Sequence, residues 1–155
     1  MKTRILGINC TAAGVFIAVT TGSGDNFKVV STDKLTFSVE TAEGIRALHR
    51  TLRTVLAGAI TDGAYRFAIL KCFSGPRGSS VEAIKAEAIM ELVAVSELAL
   101  DLKRVAPHGF PKVLNCDPGQ KWQQRAKQRF NPDGEIKHWS GTDGAVCAAY
   151  KAAAL

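Results

Sequence analysis

Two apolar stretches near the start of the chain, TRILGINC (residues 3–10) and GVFIAVTT (residues 14–21), decide the predicted fold. Both are rich in the β-branched and large apolar residues that favour buried strands. A turn-forming run, GSGDN (residues 22–26), leads into FKVVST (residues 27–32), whose side chains alternate as in a third strand. Together they predict a three-stranded antiparallel meander, with the polar Asn9 near the end of its first strand.

After the meander, helices and strands are predicted to alternate. Apolar residues at helical spacing predict a helix over residues 42–60, and RFAILKCF (residues 66–73) has the continuous apolar character of a strand buried on both faces. The remaining predicted elements are a helix at 80–99, short strands in LKRVAP (102–107) and PKVLNC (111–116), a helix in DPGQKWQQRAKQRF (117–130) with Pro118 at its first position, and a helix at 140–155 begun by Ser140 or Thr142. This order predicts an α/β domain whose mixed sheet carries helices on both faces.

The composition is that of an ordinary globular domain. The 155 residues are 46% hydrophobic and 22% charged, and they predict one domain spanning residues 1–155. No apolar run approaches the roughly 20 residues of a membrane span. The N-terminal stretch is predicted to be a strand rather than a signal peptide, so we expect a cytoplasmic protein. Four widely spaced cysteines predict reduced thiols instead of a zinc site.

The order of elements resembles the ribonuclease H-like superfamily, and within it the RuvC and YqgF-like resolvases. Four segments carry the resemblance, and together they cover essentially the whole chain. They are ILGIN with GVFIAV, FAILKCF followed by GPRGSSVEAIKAEAIMELVA, VAPHGFPKVLN, and DGAVCAAYKAA. The resemblance implies a mixed five-stranded sheet, made of a three-strand antiparallel meander plus parallel strands, with helices on both faces.

The resemblance also implies where a catalytic site would lie. In this family, acidic residues of the first strand, the fourth strand and the last helix hold two divalent metal ions, which activate water to cut a phosphodiester. Two Mg²⁺ ions about 4 Å apart need several carboxylate oxygens. The equivalent positions here are Asn9, Lys71 and Asp143, and Ser140 stands where a further acidic residue is expected. Because only one of these positions carries a carboxylate, we predict a degenerate site that holds no metal. In that site Lys71 pairs with Asp143, and Asn9 bridges the two side chains.

A related pattern is that the runs INC, LKC and LNC each end a predicted strand. If those strands are in register, Asn9, Lys71 and Asn115 lie with Asp143 along one edge of the sheet, where ligands of α/β proteins usually bind. The row has two interpretations of equal weight, a binding site and a structural polar network.

A basic segment near the C-terminal third is the candidate for nucleic-acid binding. The net charge is +6, which favours polyanionic partners. The cations assigned to nucleic acid are Lys112, Lys121, Arg125, Lys127 and Arg129, together with Arg77 in the glycine-rich loop SGPRGSS (residues 74–80). The alternative is a solvated helix face with Trp122 turned into the core and a loop that only connects two elements.

Three functions are consistent with these observations. The first is a catalytically degenerate, RuvC-like protein that binds DNA, RNA or a partner protein and needs no cofactor. The second is an active nuclease similar to Holliday junction resolvases, dependent on Mg²⁺ or Mn²⁺ held by Asp143, Asp117 and either Glu82 or Asp101. The third is a non-catalytic structural or adaptor homodimer. The cation at Lys71 argues against the second function.

Overall fold

A five-stranded mixed sheet organises the molecule. The computed structural model describes residues 4–73 and 78–155. The strands are β1 (Arg4–Thr11), β2 (Gly14–Thr21), β3 (Lys28–Leu35), β4 (Ala64–Leu70) and β5 (Leu102–Val105). Their order across the sheet is β3-β2-β1-β4-β5, with antiparallel pairing among β1, β2 and β3 and parallel pairing of β4 with β1 and β5. The predicted meander and mixed sheet are confirmed.

Four of the five helices follow the predicted order, with different ends. They are α1 (Ala42–Thr61), α2 (Val81–Glu91), α3 (Phe110–Val113), α4 (Trp122–Phe130) and α5 (Trp139–Ala153), and a π-helical segment (Leu92–Glu97) continues α2. Side chains cap two of them at the N-terminus: Thr41 Oγ1 accepts from the Gly44 N–H at 3.1 Å, and Ser80 Oγ accepts from the Ala83 N–H at 3.1 Å. Among the described residues, no helix is both long and apolar enough to cross a membrane.

The side chains of β1 point alternately into two core clusters, one on each face of the sheet. Leu6, Ile8 and Cys10 pack with apolar residues of α1 and α2, whereas Ile5 packs with residues of α5. Because successive side chains of a strand point to opposite faces, Asn9 faces α5, as Ile5 does. Gly7 lies directly under α5, where an added Cβ would overlap the carbonyl group of Ala145. The last helix therefore lies close against the middle of the sheet.

Three predictions for residues 111–121 are wrong. The run PKVLNC forms α3 and a turn instead of a strand, because Pro111 lies in the first turn of a helix, where its missing N–H costs nothing. Asn115 has a φ of 53° in that turn, so it does not join a row at the sheet edge. The helix predicted from Pro118 begins only at Trp122. The Gln120 N–H donates to the Asp117 carbonyl at 2.9 Å, which makes the preceding residues a turn.

Candidate functional site

The C-terminal end of β1 meets the N-terminal end of α5 at an interrupted helix. Ser140 and Gly141 have non-helical backbone angles, with a φ of 111° at Gly141. An added Cβ at Gly141 would overlap the ring of Phe16, the β2 residue that pairs with Asn9. Glycine therefore permits both the backbone angle and the close approach to β2, and the interruption places the main chain of α5 beside Asn9.

Two polar side chains hold this interruption. Asn9 is only 9% exposed, and its Nδ2 donates to the Gly141 carbonyl oxygen at 2.9 Å. Asp143 Oδ1 accepts from the Gly141 N–H at 3.1 Å and from the Gly144 N–H at 2.7 Å. The amide of Asn9 and the carboxylate of Asp143 thus bind opposite polar groups of the same glycine. We call this the Asn9–Gly141–Asp143 network.

Burial controls the ionisation of Asp143. Its partial removal from water raises the pKa of the carboxyl group above the ordinary value of 3.8, although the hydrogen bonds from the Gly141 and Gly144 N–H groups act in the opposite direction. Asp143 is therefore a partly buried acceptor of main-chain hydrogen bonds.

Leu70 occupies the β4 position beside Asn9. The parallel register pairs Asn9 with Leu70, which packs with the α5-side core, whereas Ile69 packs on the opposite face. An added Cβ at Gly144 would lie 2.5 Å from Asn9 Nδ2 and 2.8 Å from Leu70 Cδ2. Asn9, Leu70 and Gly144 are thus in close contact where the family's strands and last helix converge.

Lys71 does not form the predicted ion pair. It follows the last residue of β4, is exposed, and its main-chain N–H donates to the Val105 carbonyl at 2.8 Å. Within residues 4–73 and 78–155, no ion pair within 4 Å joins Lys71 to Asp143. Adjacent residues of a strand point to opposite faces, so Lys71 does not share the face that Leu70 presents to α5. Instead, Lys71 and His108 line a cleft of about 310 Å³ beyond β4 and β5.

The residues present do not fit a pair of metal ions. In the described part of the chain, no three His, Cys, Asp or Glu side chains lie together in a way that would hold a metal. Asp117, Glu82 and Asp101, proposed as ligands for the nuclease alternative, are exposed on a turn, the first turn of α2, and the residue before β5. Asp101 lies 3.8 Å from Lys103. A two-metal centre needs several converging carboxylates, whereas Asp143 accepts hydrogen bonds from the main-chain N–H groups of Gly141 and Gly144.

The thiols near the strand ends are structural. Cys72 Sγ donates to the Cys10 carbonyl at 3.8 Å, and the Cys72 main-chain N–H donates to Glu87 Oε2 at 2.6 Å. Burial raises the pKa of Cys10 and raises the pKa of Cys72 to about 12, with Glu87 adding to the latter shift. Both thiols are therefore protonated at neutral pH and are poor nucleophiles.

The predicted basic segment divides into exposed and engaged cations. Lys112, Lys121 and Lys127 are exposed. Arg125 Nε donates to the Leu114 carbonyl at 3.2 Å, and the Arg129 guanidinium lies 4.6 Å from the centre of the Tyr150 ring. The three lysines are therefore available to a phosphate backbone, whereas the two arginines already stabilise the fold.

Two further predictions concern contacts with nucleic acid. Trp122 packs edge-on against Phe110, with ring centres 4.9 Å apart, and is partly buried against the core. Arg77 lies outside the residues that the structure describes, and its role stays a prediction.

A groove joins the end of α4 to the start of α5. One part, of about 430 Å³, lies between residues 29–34 of β3 and residues 135–138, and it reaches Thr142. A second part, of about 370 Å³, shares Val29, Glu135 and Ile136 with the first and reaches Arg129. The groove therefore begins at the basic helix and ends one residue from Asp143.

Leu70, Gly141 and Gly144 are the site residues that sequence reasoning missed. The glycine pair was visible in the sequence as GTDG (residues 141–144), which brackets Asp143 and indicates a close main-chain approach. Leu70 carried no polar signal, and only the register of β1 with β4 places it beside Asn9.

Solved structures of resolvases share this fold. The Thermus thermophilus RuvC structure matches with a TM-score of 0.72 and 15% identity, over 96% of this chain and 92% of that chain. T. thermophilus RuvC in complex with a Holliday junction substrate matches with a TM-score of 0.66 and 14% identity, over 97% and 94% of the two chains. The yeast mitochondrial Holliday junction resolvase Ydc2 matches with a TM-score of 0.59 and 13% identity, over 95% and 78%.

At the level of sequence, no protein-family model and no curated protein matches the chain. The structural likeness nevertheless confirms the predicted resemblance: the chain has the RuvC-like, ribonuclease H-like fold.

Proposed function

We propose that this chain, with its RuvC-like fold, is a nucleic-acid-binding protein that has lost metal-dependent cleavage. One observation carries the proposal, the Asn9–Gly141–Asp143 network at the point where the family's resemblance implies a metal pair. In it the first-strand position donates a hydrogen bond, and the remaining carboxylate accepts two from the main chain. This arrangement does not favour a pair of cations, because Asn9 supplies its N–H₂ to the site and no three His, Cys, Asp or Glu side chains lie together around Asp143 among the described residues.

Nucleic-acid binding is supported by the fold and by the location of free positive charge. The chain matches, over 97% of its length, a RuvC structure that holds a Holliday junction substrate. Lys112, Lys121 and Lys127 are exposed, and the groove beside β3 leads from α4 toward Asp143. Flexible lysines on a surface bind phosphates through charge, without reading bases.

The position of α4 separates this binding surface from the Asn9–Gly141–Asp143 network. Phe130 at the end of α4 lies 5.3 Å from the ring of Tyr150, centre to centre. Tyr150 is seven residues beyond Asp143 in α5, roughly 10 Å along the helix axis. Loss of the metal site therefore leaves the lysines of the basic segment untouched.

A salt titration tests the proposal. Labelled four-way junction, duplex and single-stranded DNA, and RNA, would be titrated by fluorescence anisotropy with Mg²⁺ present, and the same samples run on gels. We expect affinity that falls with salt and no cleavage. The variant Lys112→Gln/Lys121→Gln/Lys127→Gln should weaken binding and reduce the slope of log K against log salt by about 0.9 for each phosphate that the protein no longer neutralises.

The matched control removes the same charge elsewhere. Arg46 and Arg50 of α1 and Lys85 of α2 are exposed, and α1 and α2 pack on the face of the sheet opposite to α4 and α5. Their triple change to glutamine should leave the slope nearly unaltered. Equal effects of both triple variants would mean that binding depends only on the net charge of the protein. Mg²⁺-dependent cleavage would contradict the loss of catalysis, and absence of binding would favour the adaptor alternative.

Two further expectations from the sequence remain proposals. We expect the protein to act in the cytoplasm and to form a homodimer. We expect the homodimer to form through a surface other than the one assigned to nucleic acid. The network, the groove and α4 all lie on the α5 side of the sheet or along its β3 edge.

A further inference from the structure

The end of the groove next to α5 contains a buried hydroxyl group without a partner. Thr142 is only 1% exposed, yet it lines the groove between β3 and residues 135–138. Its main-chain N–H donates to the His138 carbonyl at 3.3 Å, but its hydroxyl forms no hydrogen bond with any described residue. Among the described residues, Trp139 Nε1 is the only fully enclosed side-chain polar atom that lacks a partner. The Thr142 hydroxyl is therefore open to the groove and free to bind a ligand.

Two lysines bring positive charge to the same part of the groove. Lys34 of β3 pairs with Phe16 of β2, and its Nζ lies 5.6 Å from the centre of the Phe16 ring. Because that ring lies against Gly141, the Lys34 side chain is on the α5 side of the sheet. Lys137 lines the groove from the wall opposite to β3. In the described part of the chain, neither lysine has an ion-pair partner within 4 Å.

The acidic residues of the groove do not neutralise this end. Asp33 Oδ1 accepts from the Lys34 main-chain N–H at 2.8 Å, which engages the carboxylate with its own strand. Glu135 lines both parts of the groove and so lies where they meet, whereas Thr142 lines only the first part. His138, exposed beside Thr142, adds an imidazole N–H. Hydroxyl, imidazole and ammonium donors in one groove are the groups that recognise an oxyanion.

We propose that this end of the groove is a phosphate-binding site, and that the phosphate it takes belongs to a single strand of nucleic acid. The Thr142 hydroxyl donates a hydrogen bond to a phosphate oxygen, and Lys34 and Lys137 balance the negative charge. Val29 and Ile136 line both parts of the groove and give it an apolar wall for a sugar or an unstacked base.

The size of the groove favours one strand over a duplex. Its first part, of about 430 Å³, has the volume of a small-ligand pocket, which admits the groups of one strand. The assignment to nucleic acid rests on the proposed function. The phosphate site itself does not, because the residues that form it are separate from the lysines of α4 and of the segment before it.

Two variants test the site by fluorescence anisotropy with a labelled single-stranded DNA oligonucleotide. We expect Thr142→Val and Lys34→Gln/Lys137→Gln each to weaken binding about tenfold, because each removes donors to an ionised group. Since the hydroxyl has no partner within the described residues, Thr142→Val should fold as the parent does, which thermal denaturation checks.

The matched controls make the same chemical changes on α1. They are Thr54→Val and Arg46→Gln/Arg50→Gln, at exposed positions of a helix that packs on the opposite face of the sheet. We expect both controls to bind the oligonucleotide nearly as the parent does. If the parent binds DNA, Lys112→Gln/Lys121→Gln/Lys127→Gln weakens binding, and Thr142→Val behaves as Thr54→Val does, this proposal is overturned while the proposed function stands.

Amide NMR spectra of the ¹⁵N-labelled protein, titrated with inorganic phosphate, test the site without nucleic acid. We expect shifts centred on Thr142 and His138 that disappear in Thr142→Val. If the oligonucleotide does not bind but these shifts occur, the proposed function fails, the phosphate site stands, and its ligand is a free phosphate compound. Absence of the shifts in the parent, or their persistence in Thr142→Val, would overturn the site.

Discussion

At position 9, an amide and a carboxylate would act oppositely on the main chain of α5. The Gly141 carbonyl oxygen points at the side chain of Asn9 and needs a donor, which Nδ2 supplies at 2.9 Å. A carboxylate there would set a negative oxygen against the negative end of a carbonyl, in a site only 9% exposed. The neutral residue at this position is therefore explained by a specific hydrogen bond.

The first prediction concerns Asn9→Asp. It should lower the free energy of unfolding by about 1–3 kcal/mol at neutral pH, because the Gly141 carbonyl loses its donor and a charge is buried beside it. Urea denaturation measures the change. Asn115→Asp is the control, since Asn115 is exposed in a turn and a surface change of this kind stays within about 0.5 kcal/mol. Equal stabilities of the two variants would contradict the role assigned to Asn9.

The second prediction concerns the pH dependence of Asp143. Its pKa is raised in the folded protein, so the folded state binds the proton more tightly than the unfolded state does. The contribution of Asp143 to stability is then largest below the ordinary pKa of 3.8 and declines as the pH rises through the raised value. Asp143→Asn keeps the acceptor oxygen and removes this titration.

Stability curves of the parent and of Asp143→Asn should therefore diverge with pH. We expect the free energy of unfolding of the variant to rise relative to that of the parent between acidic and neutral pH. Urea denaturation across that interval measures the difference. A variant that instead loses stability toward neutral pH would show that the carboxylate has a cationic partner.

At the scale of elements, the start of α5 is shaped by two glycines with different roles. Gly141 has a φ of 111° and faces Phe16, so it needs both its backbone freedom and its missing side chain. Gly144 has ordinary helical geometry and needs only the missing side chain, because Asn9 and Leu70 fill the space where a Cβ would be. The helix approaches the sheet closely because these positions lack side chains.

The third prediction compares two glycines within helices. Gly144→Ala should destabilise the protein by about 1–3 kcal/mol through overpacking against Asn9 and Leu70. Gly58→Ala in α1, where nothing lies within 4 Å of the added Cβ, should stabilise it by about 0.5–1 kcal/mol through helix propensity. Thermal or urea denaturation of both variants gives the comparison. If both substitutions changed the free energy of unfolding in the same direction, α5 would not be in close contact with β1 and β4.

Element prediction succeeded where the apolar pattern was long and failed where it was short. The three meander strands and the helix beginning near residue 42 have periodicity over many residues, and they form as predicted. The six-residue run PKVLNC has no such length, and its proline fits a helical first turn as well as a strand edge. The start of α4 was placed four residues early because Pro118 and Gly119 form a turn, with a φ of 80° at Gly119.

At the scale of the whole molecule, apolar packing and small residues organise the RuvC-like fold. Among the described residues, no three His, Cys, Asp or Glu side chains lie together around Asp143. The polar groups that remain at the site bind each other through Gly141. We therefore expect the stability of the protein to be independent of metal.

The fourth prediction is that Mg²⁺ and EDTA leave the midpoint of thermal unfolding unchanged. A ligand present at about 100 times its dissociation constant would add roughly 2.7 kcal/mol and raise the midpoint by several degrees. Calorimetric scans with MgCl₂, with EDTA and with NaCl at matched ionic strength make the comparison. A rise specific to Mg²⁺ that disappears in Asp143→Asn would show that the site still holds a metal.

The sequence by itself determined the order of elements, the resemblance to resolvases and the shortage of acidic residues at the expected positions. Those properties depend on residue type and on periodicity along the chain, which one strand or helix displays on its own. Only the tertiary structure decided that Leu70 and not Lys71 lies beside Asn9, and that Asp143 accepts hydrogen bonds from two main-chain N–H groups instead of pairing with Lys71. The physical reason is that strand register and a one-residue step change the face to which a side chain points.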